Sequence, residues 1–165
     1  MTDEILRLAA LLGQSLADKG WQITCAESCT GGGIGYAITS TQGSSAWFNK
    51  GFITYSNEAK QEMLNVTPST LVTYGAVSSE TVKEMAIGAA TAAGAKVAVS
   101  VSGIAGPDGG SPEKPVGTVW FGFFVAGDTF TERQVFTGDR HNVRIKAVEF
   151  ALSNVLKVLI KQTIS

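Results

Sequence analysis

A short apolar stretch, Trp21, Ile23 and Cys25, breaks off at Ser28-Cys29-Thr30 and runs straight into Gly31-Gly32-Gly33. Few arrangements accommodate that order. A strand must end where the hydroxyls begin, and the chain must then turn sharply, which glycines permit because they reach backbone conformations closed to other residues. A helix that follows brings its unpaired N-terminal amides to the same point as the hydroxyls. Such a junction suits a nucleophile or an anion.

The rest of the chain reads as alternating elements. Ile5, Leu8, Leu12 and Leu16 recur at helical spacing, with Leu11 widening the stripe and Gly20 as the stop. After the glycines the pattern predicts a helix over 34–39, a turn at Gly43-Ser44-Ser45, and a strand over 49–56 carrying Phe52, Ile53 and Tyr55. Asn57 caps a short helix with Met63 and Leu64, and Pro68 begins another. An Ala-rich helix spans 78–94, with Val82, Met85, Ala86 and Ala89 on one face. Residues 96–102 are dense in β-branched side chains, as in a buried central strand. A Gly/Pro loop over 103–115 leads to two strands, 116–125 and 129–136, joined through Gly127-Asp128. The segment 142–161 is one amphipathic helix with Val143, Ala147, Phe150, Ala151, Val155 and Leu159. Together these predict a three-layer α/β/α sandwich on a mixed, mostly parallel sheet, with a C-terminal β-hairpin and a long helix. Residues 1–165 are expected to form a single domain.

Composition narrows the class. The chain can bury one continuous core, and at 44% hydrophobic and 16% charged it is neither disordered nor highly charged. Its net charge of −1 leaves no basic stripe for a nucleic-acid backbone, so no nucleic-acid partner is expected. A pocket for one phosphate is compatible with it. No apolar stretch approaches the roughly 18 residues of a membrane helix, and Met1-Thr2-Asp3-Glu4 does not open a secretory signal. Cys25 and Cys29 match no zinc or disulfide pattern. These features predict a cytoplasmic protein without a membrane partner.

The single histidine, His141, removes most hydrolytic schemes. It lies among Asp139, Arg140 and Asn142 near a helix start and reads as a surface or supporting residue. No Gly-x-Ser-x-Gly elbow, Walker A sequence or Gly-x-Gly-x-x-Gly turn is present, and no metal or cofactor is expected. Hydrolysis is left with a hydroxyl nucleophile and a lysine base. A lysine with its ordinary pKa of ~10.4 must drop by roughly 3 units to serve near neutrality, about 4 kcal/mol, so it belongs in an apolar setting. Lys60, between Phe52-Ile53 and Met63-Leu64, has that setting. Two readings of it stand: a base beside Ser28 and Tyr55, or an exposed helix lysine. Ser111-Pro112-Glu113-Lys114 has Ser-x-x-Lys spacing, but glycines and Pro115 flank it where a helix is needed, and Lys114 reads better as a phosphate contact. Cys29 is a further candidate nucleophile, since helix N-termini favour thiolates, although no histidine stands near it.

In order along the chain, Ala26-Glu27-Ser28-Cys29-Thr30-Gly31-Gly32, Gly43-Ser44-Ser45, the run from Gly51-Phe52-Ile53-Thr54-Tyr55-Ser56 to Lys60, Gly75-Ala76-Val77-Ser78, and Ser102-Gly103-Ile104-Ala105-Gly106-Pro107-Asp108-Gly109-Gly110 with Lys114-Pro115-Val116-Gly117 resemble the CinA C-terminal family, in its single-domain form. The resemblance covers nearly the whole chain. It implies an enzyme that hydrolyses the carboxamide of nicotinamide mononucleotide to nicotinate mononucleotide and ammonia, without a metal and by a serine–lysine mechanism. Ser28, Ser45, Tyr55 and Lys60 fall on the positions that this implies for catalysis. Either serine can be the attacking group; Ser28 is preferred because the amides of Cys29, Thr30 and Gly31 beside it would form an oxyanion hole.

The glycine loop then acquires a use. Amides around Gly103, Gly106, Gly109 and Gly110, with Lys114 and Arg140 or Arg144, would hold the substrate phosphate, and Ser102 would reach the ribose or the carboxamide. The rival reading is a non-catalytic nucleotide sensor that uses the same loops. A homodimer is expected, with Trp47 and Phe48 either at its interface or in the core.

Overall fold

Along residues 97–102 valines alternate with alanine and serine, so one face of this strand is bulky and the other small. The two faces carry different helices. The computed structural model describes residues 1–164, with the side chains of 1–161. It runs in the order α1 (Asp3–Lys19), β1 (Ile23–Glu27), α2 (Gly33–Ile38), β2 (Phe52–Ile53), α3 (Asn57–Leu64), α4 (Pro68–Tyr74), α5 (Ser79–Ala93), β3 (Val97–Gly103), β4 (Thr118–Val125), β5 (Asp128–Val135) and α6 (Arg140–Ile164). The sheet order is β2-β1-β3-β4-β5. β1 pairs in parallel with β2 and β3, and β4 pairs antiparallel with β3 and β5. Four strands therefore point one way and only β4 opposes them, which is the mixed, mostly parallel sandwich expected.

Val97, Val99 and Val101 join Ile23, Phe121 and Phe123 under α1, α2 and α6 in the larger core. Each such side chain contributes on the order of 1.5–3 kcal/mol by leaving water. On the opposite face Ala26 and Ala98 meet Leu64, Leu71, Val82, Met85, Ala86 and Ala89 from the second helical layer. Small residues here let α5 lie close to the sheet. Ser100 Oγ donates to the Val82 carbonyl at 2.5 Å, and a Cβ on Gly122 would come within 2.3 Å of that carbonyl oxygen.

Local departures from the sequence pattern have simple causes. Leu11 is exposed, so the α1 stripe is narrower than expected. The second strand shrinks from 49–56 to Phe52–Ile53 because it is an edge strand; its approach is tied instead by Thr24 Oγ1 donating to the Lys50 carbonyl at 2.8 Å. Ser56 rather than Asn57 caps α3, accepting from the Ala59 amide at 3.0 Å, and Met63 points to solvent while Leu64 is buried. The hairpin turns one residue earlier, at Ala126-Gly127, both with positive φ. Trp47 is a core residue against Gly13 of α1, not an interface side chain.

α3 and α5 meet at Gly88, where an added Cβ would stand 1.9 Å from the Leu64 carbonyl oxygen. Main chain cannot swing aside. Gly88→Ala is expected to cost roughly 2–3 kcal/mol and to lower Tm by roughly 5–10 °C in a thermal melt. A change below about 2 °C would show that the two helices separate freely.

Candidate active site

The carboxyl ends of β1, β2 and β3 share one sheet edge, because these three strands are parallel. Ser28 follows β1, Tyr55 follows β2, and Ser102 and Gly103 close β3. Between them lies a cleft of about 300 Å³, lined by Ser28, Cys29, Tyr55, Asn57, Lys60, Ala76, Val77, the segment 102–106, Asp108, Gly109 and Arg140. Open α/β sheets bind ligands at this edge. A separate cleft of about 360 Å³ lies against β5 and α6, lined by Phe123, Phe130 and Lys157 among others; it contains neither a serine nor a buried amine.

Lys60 defines the floor. Its side chain is 1% exposed, and Nζ donates to Ser28 Oγ at 3.0 Å and to the Thr54 carbonyl at 2.8 Å, with the Tyr55 carbonyl at 3.5 Å. No carboxylate among the described residues contacts it. Burial pushes its pKa down to about 8, partly opposed by the Cys29 thiol beside it. In the neutral form the two N–H bonds suit the two carbonyls, which can only accept, and the lone pair is left for the serine hydroxyl. The exposed-lysine reading is excluded. Ser28 is itself 8% exposed, and its amide donates to the Val101 carbonyl at 3.0 Å, fixing it across β3.

The turn after Ser28 hangs on a buried carboxylate. Glu27 is 1% exposed and accepts from Thr30 Oγ1 at 2.6 Å, the Ile34 amide at 2.8 Å and the Gly35 amide at 2.9 Å. Those amides open α2, whose N-cap, Gly32, has no side chain to offer. Glu27 supplies the cap from the strand instead. Gly31 and Gly32 have φ of 58° and 106°, conformations that other residues reach at a cost.

Several sequence expectations land elsewhere. Ser45 is exposed in the short turn Ser44–Ala46. That turn leads to Trp47, whose carbonyl accepts from Ile23 at the opposite end of β1, so Ser45 is outside the cleft. Cys29 lines the cleft, but burial lifts its thiol to about 11, against the thiolate expected at a helix mouth. Tyr55 is 60% exposed with Oη accepting from Arg140 at 3.0 Å, so its phenol lies at the rim and only its carbonyl reaches Lys60. The Gly31 amide is engaged by the Ser28 carbonyl at 3.0 Å, and Thr30 turns its hydroxyl to Glu27; neither lines the cleft, nor does Gly110.

Lys114 Nζ donates to the Tyr74 carbonyl at 2.8 Å, pinning the glycine loop to the end of α4 rather than facing the cleft. Ser111 Oγ accepts from the Lys114 main-chain amide at 3.1 Å, so no Ser–Lys side-chain pair forms there. His141 is exposed at the start of α6. Arg144 donates to the Cys29 and Thr30 carbonyls. Asn57, Asp108 and Glu27 were not among the expected site residues, and Arg144, expected at the phosphate, instead holds main chain. The signal that could have found Glu27 is its place as the one charge in the otherwise uncharged strand Ile23–Glu27.

A cleft at the carboxyl edge of parallel strands, floored by a serine hydroxyl on a buried amine, defines a small-molecule site in an α/β domain. The chain belongs to the CinA C-terminal domain family, which it matches over residues 5–159. It is 61% identical over 155 residues to the nicotinamide-nucleotide amidohydrolase PncC of Enterobacter agglomerans, covering 93% of this chain and 94% of that one. The protein of the same name from Escherichia coli K12 is 54% identical over 165 residues, covering 99% and 100%. A crystal structure of a competence-damaged protein (CinA) superfamily member from Klebsiella pneumoniae superposes with a TM-score of 0.92 at 39% identity, covering 95% and 98%.

Removing the Glu27 carboxylate strands two amides and a hydroxyl in the interior. Glu27→Ala is expected to lose roughly 3 kcal/mol or more of stability, measured by urea titration. A loss under about 1 kcal/mol would mean that water replaces the carboxylate.

Proposed function

We propose that this protein is an amidohydrolase that converts nicotinamide mononucleotide to nicotinate mononucleotide and ammonia in pyridine-nucleotide recycling, with Ser28 as nucleophile and Lys60 as base. The observation that carries the mechanism is the 3.0 Å contact between a buried lysine amine and a buried serine hydroxyl at the floor of the cleft. The substrate class rests on the relatives named nicotinamide-nucleotide amidohydrolase. The carboxamide enters toward Ser28, and the ribose phosphate extends to the rim, where Arg140, Tyr55 and the amides of Gly106 and Gly109 meet it.

Lys60 takes the Ser28 proton as Oγ attacks the carboxamide carbon. The resulting ammonium gives that proton to the departing amide nitrogen, ammonia leaves, and an acyl ester remains on Ser28. Lys60 then deprotonates a water that attacks the ester, and the proton returns to Ser28 as nicotinate mononucleotide departs. The Cys29 thiol, held protonated by burial, takes no part. The Tyr55 phenol, bonded to Arg140, assists binding rather than proton transfer.

The sensor reading asks Lys60 to be a plain cationic contact. Its 1% exposure disfavours that, because a charge meant for a phosphate would not be desolvated before the phosphate arrives. We further take the enzyme to be cytoplasmic, as its two free thiols suggest, and to act as a homodimer. Tyr36 and Ile53, both exposed beside the edge strand β2, favour such an assembly.

Ser28→Ala and Lys60→Ala should each reduce ammonia release from nicotinamide mononucleotide by at least about three orders of magnitude, with product affinity in calorimetry within a few-fold of wild type. Near-normal turnover by Ser28→Ala would remove Ser28 from the mechanism. The base works unprotonated, so kcat/KM should climb with pH, reach half its maximum at about pH 8 and level off above. A profile flat from pH 6 to 9 would be incompatible with a lysine base.

A further inference from the structure

The reaction above gives Arg144 no role, although its side chain reaches the turn that carries Ser28. Nε donates to the Cys29 carbonyl at 3.1 Å and Nη2 to the Thr30 carbonyl at 3.4 Å. A Cβ on Gly31 would come within 3.0 Å of the same Nη2, so the guanidinium is seated inside the angle of the turn. Glu27 grips that turn from below through the Thr30 hydroxyl. The segment is thus held by a carboxylate on one side and a guanidinium on the other.

The consequence follows from the planarity of the peptide unit. In a trans peptide the carbonyl and the next amide point in opposite directions. Drawing the Cys29 carbonyl toward the Arg144 guanidinium turns the Thr30 N–H of the same peptide unit away from that guanidinium. The Ser28 carbonyl, engaged by the Gly31 amide at 3.0 Å, sends the Cys29 N–H outward from the turn. Among the described residues, neither the Cys29 nor the Thr30 amide donates to an acceptor in another residue. The Cys29 amide faces its own thiol, whereas the Thr30 amide has no such partner, and a donor of that kind close to a nucleophilic hydroxyl is what a developing oxyanion requires.

We infer that Arg144 is a positioning residue that aims the Thr30 amide at the carboxamide oxygen by holding the Cys29 carbonyl of the same peptide unit, while its second bond, to the Thr30 carbonyl, steadies the next one. Its planar fork serves both carbonyls at fixed spacing, which a lysine cannot do. The inference rests on the amidase reading. It reassigns Arg144 from the phosphate, since these two hydrogen bonds turn the fork toward main chain.

The test compares wild type with Arg144→Ala and Arg144→Lys, using nicotinamide mononucleotide as substrate, nicotinate mononucleotide as a ground-state ligand, and the aldehyde analogue of the substrate, which a serine hydroxyl captures as a tetrahedral adduct. Wild type must first release ammonia; if it does not, the amidase reading fails, and this inference with it. Given that activity, kcat should fall by about 100-fold in Arg144→Ala and about 10-fold in Arg144→Lys, the range seen when an oxyanion donor is lost. KM and nicotinate mononucleotide affinity should stay within about 3-fold, aldehyde affinity should fall in step with kcat, and guanidinium ion should restore part of the Arg144→Ala rate. A kcat within 3-fold of wild type, or a rise in KM and in product dissociation constant that accounts for the whole loss, would overturn the inference; the second result would return Arg144 to phosphate binding. Should Arg144→Ala unfold, Arg144→Lys, which keeps the charge, decides by the same split between aldehyde and product affinity.

Discussion

A primary amine that is 1% exposed and, among the described residues, has no carboxylate beside it sets the terms for everything around it. Water is the better solvent for an ammonium, so the fold must hold the Lys60 side chain inward against that preference. It does so through α3. Ser56 caps the first turn, Leu64 closes the last one in the core, and α5 presses on the Leu64 carbonyl at Gly88. The position of Nζ is thereby tied to packing on the far side of the helix. The unfolded chain keeps the Lys60 proton up to an ordinary pKa of 10.5, whereas the folded chain releases it at about 8. The fold is therefore handicapped below pH 8, and the handicap fades as pH rises toward 10.5.

The same sheet edge decides which groups can meet this amine. β1, β2 and β3 end together, so short segments after each strand deliver Ser28, the Thr54 and Tyr55 carbonyls, and Ser102 to one cleft. β4 runs the other way and contributes none of the cleft lining. Its work is packing, with Phe121 and Phe123 in the larger core and Gly122 admitting α5. A loop from the end of β3 covers the cleft, and Arg140 from α6 fastens that loop by donating to the Gly106 carbonyl at 2.9 Å. Packing strand and site strands are thus different strands of one sheet.

Much of this was legible in the sequence, for reasons that differ by element. The β-branched run at 97–101 and the Ala-rich helix before it announce themselves because composition and burial coincide. Lys60 was legible as an amine in an apolar neighbourhood. Ser45 was misleading because linear order cannot say at which end of β1 a turn falls; only the contact between Ile23 and Trp47 settles it. The Tyr55 phenol could not be placed either, since one exposed edge residue can turn toward the floor or the rim. Arg144 was invisible as a partner of main-chain carbonyls, which carry no side-chain signature. Glu27 carries no sequence mark of its partners, because two of them are main-chain amides of α2 that come within reach only where that helix begins.

Glu27 and Lys60 are both buried, and both lie near Ser28, yet they form no ion pair. Strand geometry explains why. Successive side chains of β1 alternate faces, so Cys25 and Glu27 look toward α2, while Ala26 lies in the opposite core with Leu64 of α3. A carboxylate against the amine would stabilise the ammonium and raise its pKa. Turned away, Glu27 satisfies three donors of the turn and leaves the amine free to lose its proton. In the proposed reaction the substrate sharpens this arrangement, because a pyridinium ring about 6 Å from Nζ would oppose protonation by roughly 3 kcal/mol at an effective dielectric of about 20. A one-residue slip of β1 would exchange the two faces and bring the carboxylate to the base, so the register between β1 and β3 is itself a determinant of the chemistry.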